Sequence, residues 1–272
     1  MSLPADVYRL YEGLPQQGPG SDALTLEALR RLGPLPDAPR VLDLGCGSGR
    51  QTLALARALG GRVVAVDDHE PFLRELDARA RAAGLSHVIE TRLGDMGALD
   101  LEAASADLAW SEGAIYIVGF ERGLRAWRRW LRPGGLAAVS ECSWLVERPG
   151  PEVRAFWDAA YPAMGTIARN AERARAAGYE VIDAFPLPAS AWWDGYYTPL
   201  LARAEVLAAE ARDHAALAEA IADVRREVEL FERFGDTYGY VFYLLRRQPV
   251  SAGGDGRGLR AGAEAHLPPH GS

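Results

Sequence analysis

Three acids and a glycine-rich turn set out the first chemical possibility. The segment Val41-Leu-Asp-Leu-Gly-Cys-Gly-Ser-Gly49 joins an apolar run to a helical one through glycines at 45, 47 and 49. Glycine lets the backbone approach a ligand closely, and the N–H groups of the helix that follows face that ligand. A dinucleotide fingerprint needs Gly or Ala at position 50, where Arg50 stands. The pattern is therefore G-x-G-x-G preceded by an acid, Asp43. An acid there suits a cationic group, such as an ammonium, better than a pyrophosphate. Asp67 ends Val63-Val-Ala-Val-Asp67, 18 residues beyond Gly49. A carboxylate at that point can take both hydroxyls of a ribose, a feature that nicotinamide proteins share. Asp95, in Arg92-Leu-Gly-Asp-Met96, can accept from an adenine amino group or cap its own turn.

A second set could act on whatever the first set binds. Glu112 lies in Ala106-Asp-Leu-Ala-Trp-Ser-Glu-Gly113 and Glu141 in Ser140-Glu-Cys-Ser-Trp144. Both fall at strand ends, where their carboxylates could orient or deprotonate an acceptor, and a close pair raises one pKa. The plainer role is to cap a loop or pair with an arginine such as Arg122. Tyr116 and Trp144 offer aromatic faces for a cation, or simply a pocket wall. Trp192, Trp193, Tyr196 and Tyr197 form a further aromatic cluster, as a lid or as plain packing.

These residues need a scaffold, and the apolar pattern supplies one. Short strands are expected over Arg40–Leu44, Arg62–Asp67, His87–Leu93, Ala106–Ser111 and Leu136–Cys142. Helices are expected between them over Gln51–Leu59, Pro71–Ala83 and Phe120–Leu131, with Ser21 as the N-cap of a helix over Asp22–Leu32. Strand–helix alternation with short turns means a parallel sheet covered on both faces, an α/β fold. Further on, helices are expected over Pro151–Tyr161 and Thr166–Ala177, and strands over Tyr179–Leu187 and Tyr238–Arg246. A helical and aromatic insert spans about 188–236. The last residues, 251–272, carry no apolar pattern and read as disordered.

Composition removes several mechanisms. The 272 residues carry 30 basic and 37 acidic side chains, a net charge of −7, and every basic residue is arginine. Without lysine there is no lysine Schiff base and no P-loop lysine. The pI near 5.4 argues against a nucleic-acid partner. The two cysteines, Cys46 and Cys142, make neither a disulfide framework nor a metal spacing, so no metal is expected. No signal-like N-terminus and no membrane-length apolar run is read, and a cytoplasmic protein is the expectation.

Taken in order, the pieces over Pro39–Cys142 resemble the class I S-adenosylmethionine-dependent methyltransferases. That resemblance implies a Rossmann-like, doubly wound seven-stranded sheet of order 3-2-1-4-5-7-6 with the last strand antiparallel. It places Gly45, Cys46 and Gly47 along the methionine part of S-adenosyl-L-methionine, with Asp43 helping to hold the amino group. Asp67 would bind the ribose, Asp95 and the Met96 backbone the adenine, and Ser111 would line the same crevice. The segments Gln17-Gly-Pro-Gly-Ser21, Ser111-Glu-Gly-Ala-Ile-Tyr116, Gly119-Phe-Glu-Arg122 and Ser140-Glu-Cys-Ser-Trp144 are similar to a bacterial group of type-11, UbiE-like methyltransferases. That likeness lays residues 1–38 over the crevice, with Gln17 and Ser21 as second-rank contacts. A small-molecule acceptor is the leading expectation, with Glu112, Glu141 and Tyr116 as catalytic candidates. A nucleic-acid or protein methyltransferase, a cofactor-binding protein without turnover, and a nicotinamide oxidoreductase are the alternatives. Adenine-N6 enzymes carry an acid or Asn with Pro-Pro-aromatic after strand four, where this chain has Ser111-Glu-Gly. The oligomeric state stays open, a homodimer being one option.

Overall fold

The apolar runs Val41–Leu44 and Val63–Val66 become two interior strands of the sheet, buried on both faces as parallel strands require. The computed structural model describes residues 5–249; the tail expected to be disordered lies outside the described residues. Eight strands form one sheet: β1 (Arg40–Leu44), β2 (Arg62–Asp67), β3 (Ile89–Leu93), β4 (Ala106–Glu112), β5 (Leu131–Trp144), β6 (Gly165–Thr166), β7 (Tyr179–Pro186) and β8 (Tyr238–Arg247). The order is β3-β2-β1-β4-β5-β8-β7, with the two-residue β6 paired to β5. Apart from β6, this is the expected order. β8 runs antiparallel to both β5 and β7.

Ten α-helices accompany the sheet among the described residues: α1 (Ala5–Tyr11), α2 (Asp22–Leu32), α3 (Arg50–Leu59), α4 (Glu70–Ala82), α5 (Phe120–Trp127), α6 (Pro151–Ala160), α7 (Ile167–Ala176), α8 (Ser190–Trp192), α9 (Thr198–Leu207) and α10 (Ala215–Phe234). One face of the sheet packs Val64, Val66, Ala109 and Val139 against Phe120, Leu124 and Trp127 of α5 and Ala174 of α7. The other packs Val41, Val63 and Trp110 against Ala28, Leu55 and Leu76 of α2, α3 and α4. A third cluster joins the insert to the ends of β5 and β8 through Trp192, Tyr197, Phe231 and Tyr238.

Three local differences have physical causes. The helix expected over Phe120–Leu131 ends at Trp127, and pairing begins at once, Leu131 opposite Ala106. The Arg132-Pro-Gly-Gly135 turn then bulges from the strand, and the register resumes at Leu136 opposite Leu108. A proline inside a sheet is accommodated by such a bulge. The Gly- and Pro-rich first twenty residues contain a helix, α1, which packs on α9 and α10 and owes its place to that contact. The aromatic stretch Ala191–Pro199, whose sequence reads as irregular, is helical: α8 runs into α9 through a π turn over Trp193–Tyr197. Three rings buried in the third cluster, Trp192, Tyr196 and Tyr197, with Trp193 packed against them, outweigh the weak helix propensity of that stretch.

Candidate active site

The carboxyl ends of β1, β2, β4 and β5 meet along one edge of the sheet, the edge where open parallel sheets bind ligands. The glycine-rich turn lies there between β1 and α3. Its shape is fixed from β2: the Gly45 and Cys46 amides both donate to the Val66 carbonyl at 2.9 Å. The next amide, Gly47 N–H, donates to Asp67 Oδ2 at 2.8 Å, and the His69 amide donates to Oδ1 at 3.0 Å. Each Asp67 oxygen keeps a further lone pair for a hydroxyl. Burial raises its pKa, while these two amides oppose the shift.

Two glycines of the turn are required by close approach. Gly45 has φ +75° and a Cβ there would come within 2.3 Å of Ala114 Cβ; Gly47 has φ +55° and a Cβ would meet Gln17 Oε1 at 2.5 Å. The Ser48 amide donates to the same Gln17 oxygen at 2.8 Å. Gln17 Nε2 in turn donates to the Tyr11 carbonyl at 3.2 Å. The loop that carries Gln17 is held from the other side too, since the Gly20 amide donates to the Ala191 carbonyl at 3.1 Å. The segment from Gln17 to Ser21 thus bridges the glycine turn and the insert.

Asp43 sits behind the turn. It is fully buried, with Thr52 Oγ1 donating at 2.5 Å and Gln51 Nε2 at 3.3 Å. Gln51 also donates to the Cys46 carbonyl at 3.1 Å, so Asp43 braces the turn from below. Burial lifts its carboxyl to about 7, and the two hydrogen bonds hold that rise in check. Ser111 is buried as well and donates to the Leu44 carbonyl at 2.7 Å, joining β4 to β1. Ser21 caps α2 by accepting from the Leu24 amide at 3.2 Å. Cys46 is buried, and its thiol is pushed well above its usual value. Asp95 is exposed and accepts from the Gly97 amide at 2.7 Å, closing its own turn. Buried Met96 gives its carbonyl to Trp127 Nε1 at 2.8 Å.

The two glutamates occupy different surroundings and do not bond to each other. Glu112 is tied on both oxygens: Thr25 Oγ1 at 2.6 Å and Trp110 Nε1 at 2.8 Å donate to Oε1, and Arg50 donates to Oε2 at 2.5 Å. Its side chain is only 4% exposed and that of Arg50 14%. The arginine partner is Arg50, where the sequence had suggested one such as Arg122, which instead donates to the Val118 carbonyl. Glu141 is 1% exposed; it accepts from the Tyr161 hydroxyl at 2.6 Å, and its other oxygen has no partner. Burial lifts it to about 8, against the Tyr161 bond and the Arg173 charge. Tyr161 in turn lies edge-on to Tyr116, with ring centroids 5.9 Å apart. Tyr116 keeps 44% of its surface open, yet burial around its hydroxyl pushes that group to about 12, as expected of a ring on the wall of a cleft.

Several residues escaped the sequence reading. Tyr11, Tyr161 and Tyr240 gave no motif. Glu227 gave a signal that went unused: on α10 it falls within the apolar stripe of Ile221, Val224, Val228 and Phe231, three and four residues from its neighbours. It accepts from the Tyr197 hydroxyl at 2.7 Å.

Part of this sheet edge is similar to known proteins. Residues 41–135 match a family described as "Methyltransferase domain". The matched segment runs from β1 to the bulge of β5, and so holds the glycine turn, Asp67, Asp95 and Glu112. Over 159 residues the chain is 33% identical to a cypemycin N-terminal methyltransferase of a Streptomyces species, covering 55% of this chain and 60% of that protein. Over 153 residues it is 34% identical to the 2-phytyl-1,4-naphtoquinone methyltransferase of Synechococcus elongatus, 53% of this chain and 62% of that one. The chain thus matches less than two thirds of the length of either protein. A solved methyltransferase of Thiobacillus denitrificans, in complex with S-adenosyl-L-homocysteine, shares the fold with a TM-score of 0.76 at 22% identity, over 91% of this chain and 100% of that one.

Proposed function

We propose that this chain is an S-adenosyl-L-methionine-dependent methyltransferase acting on a small-molecule acceptor, of the type-11, UbiE-like kind. The observation that carries the cofactor reading is the Asp67 carboxylate, held by the Gly47 and His69 amides at the end of β2, with a lone pair left on each oxygen. Two neighbouring ribose hydroxyls fit that donor-poor, acceptor-rich point. Gly45, Cys46 and Gly47 line the methionine part, where only glycine backbone leaves the room. Asp43 acts through Thr52 and Gln51 by stiffening this turn. Asp95 keeps an oxygen for the adenine amino group beside Met96. Gln17 closes the site from above through Ser48; Ser21 serves by starting α2, and Ser111 by fixing β4 to β1.

Residues 39–250 form the methyltransferase unit in this reading, with 1–38 and the insert as its cover. No described helix is long and apolar enough to cross a membrane, and a cytoplasmic protein without a nucleic-acid partner remains the proposal.

The cofactor's sulfonium supplies the reactive methyl, so the chain has only to place an acceptor in line with it and keep water away. Glu112 is a positioning residue: its pair with Arg50 links α2, α3 and β4 around the crevice. Glu141, buried and half unpartnered beside Tyr116, is the candidate base. A carboxyl lifted toward neutrality suits proton transfer at physiological pH.

Asp67→Ala is the direct test of the ribose contact. A loss of S-adenosylhomocysteine affinity of about tenfold or more, with an unchanged melting curve, supports it. Unchanged affinity removes Asp67 from the site.

A further inference from the structure

The insert brings a carboxylate and several phenols over the edge of the sheet where β4 and β5 end. Glu227 projects from the buried stripe of α10 and takes the Tyr197 hydroxyl. Tyr196 packs against Tyr197 with ring centroids 5.1 Å apart, and Trp192 joins Tyr197 and Tyr240 at 5.5 and 5.3 Å, so rings from the π turn and β8 gather beside this acid. Glu141 is joined to Tyr116 through Tyr161, which donates to Glu141 and lies edge-on to Tyr116 at 5.9 Å. Tyr240 stands 3.7 Å from where a Gly113 Cβ would be, just past the end of β4.

Glu227 has no salt bridge among the described residues. Burial raises its pKa, the Tyr197 bond lowers it, and its near charge, Asp223, is of the same sign. Four arginines packed near these strand ends are engaged: Arg50 by Glu112 and Asp22, Arg79 by the Leu14 and Pro15 carbonyls, Arg122 by the Val118 carbonyl, and Arg173 by Asn170 and the Ala163 carbonyl. A carboxylate or phosphate on the acceptor would meet two acids, and these four guanidinium groups are already engaged. A cation would meet the acids and a cluster of aromatic rings, the environment that holds ammonium groups. The unpartnered Glu141 oxygen is a second acceptor waiting under the same wall.

We infer that the acceptor is a small amine, held as its ammonium between Glu227 and the tyrosines and methylated on nitrogen. This rests on the methyltransferase reading above and adds the acceptor class. For this acceptor the base is Glu227 in place of Glu141: the ammonium passes one proton to the Glu227 carboxylate, and its freed lone pair attacks the methyl carbon. The N–C bond forms as the S–C bond breaks, its electron pair staying on sulfur, so the products are a methylated amine and S-adenosylhomocysteine. The proton on Glu227 leaves to solvent.

The test uses the full chain and a panel of small amines, each with its matched alcohol and carboxylate, for example phenethylamine, 2-phenylethanol and phenylacetate. Transfer of a labelled methyl group is followed for each, and S-adenosylmethionine binding is measured separately by calorimetry. The expected result is label in amines alone. Glu227→Gln should then lower kcat/KM for the amine at least tenfold, leave cofactor affinity within twofold, and recover in part in Glu227→Asp. Label in the alcohols or carboxylates, no labelled amine from protein that binds the cofactor, or an unchanged Glu227→Gln overturns the amine. Failure to bind S-adenosylmethionine at all overturns the parent reading instead. Should Glu227→Gln not fold, Tyr196→Phe read against Tyr240→Phe on the same amine decides, since loss of neither hydroxyl changing its KM contradicts the chamber.

Discussion

The Gln17 side chain accepts the Ser48 amide at 2.8 Å and so ties the N-terminal loop to the glycine-rich turn. These residues lie 31 apart in sequence, and the bond satisfies the backbone amide just before the N-cap of α3. Gln17→Ala would orphan that amide and loosen the loop. One hydrogen bond is worth about 1 kcal/mol net, so S-adenosylhomocysteine should bind about fivefold more weakly, as read by calorimetry. Ser21→Ala makes the contrast. It removes the α2 cap and should cost about 1 kcal/mol of stability in urea unfolding while leaving affinity nearly unchanged.

The Arg50–Glu112 pair should matter more for folding than for chemistry. Glu112→Gln leaves a largely buried guanidinium without its counter-charge, and Arg50→Met leaves the acid alone. Each should destabilise the chain by about 3 kcal/mol. The double variant should lose clearly less than the sum, because neither charge is then stranded. Denaturant melts of the two singles and the double give the coupling. Simple additivity would mean that the pair contributes nothing of its own.

Glu141 gives a pH signature with a definite sign. Its pKa rises from 4.5 to about 8 on folding, so the native state binds the proton more tightly than the unfolded chain. Its contribution to stability is therefore full below about 4.5 and is lost as pH climbs through about 8. Glu141→Gln should flatten the decline of stability across that window, relative to the parent. Asp43, lifted to about 7 by burial, adds a decline of the same sign that remains in the variant. Equal slopes in parent and variant would show that Glu141 titrates alike folded and unfolded.

The strands and the turns that follow them were legible because their signals are local. Asp67 ends β2, Gly45 follows β1 and Asp95 lies two residues past β3, and strand ends can be read from apolar runs and their punctuation. The partners were not legible. Arg50 meets Glu112 across 62 residues, and nothing in either segment names the other. The sequence pointed to Asp43 by its place before the glycines, but its bonds to Thr52 and Gln51 were not legible there. α1 lies in a stretch rich in breakers, and only packing on α9 and α10 makes it a helix. Glu227 could have been found, since an acid on the apolar face of an amphipathic helix must be answered by something.

Calorimetric titration of the full chain with S-adenosylhomocysteine and, separately, with NADH tests the central claim most directly. The Asp67 and glycine-turn geometry predicts saturable binding of S-adenosylhomocysteine and none of NADH. Binding of NADH without S-adenosylhomocysteine would contradict it.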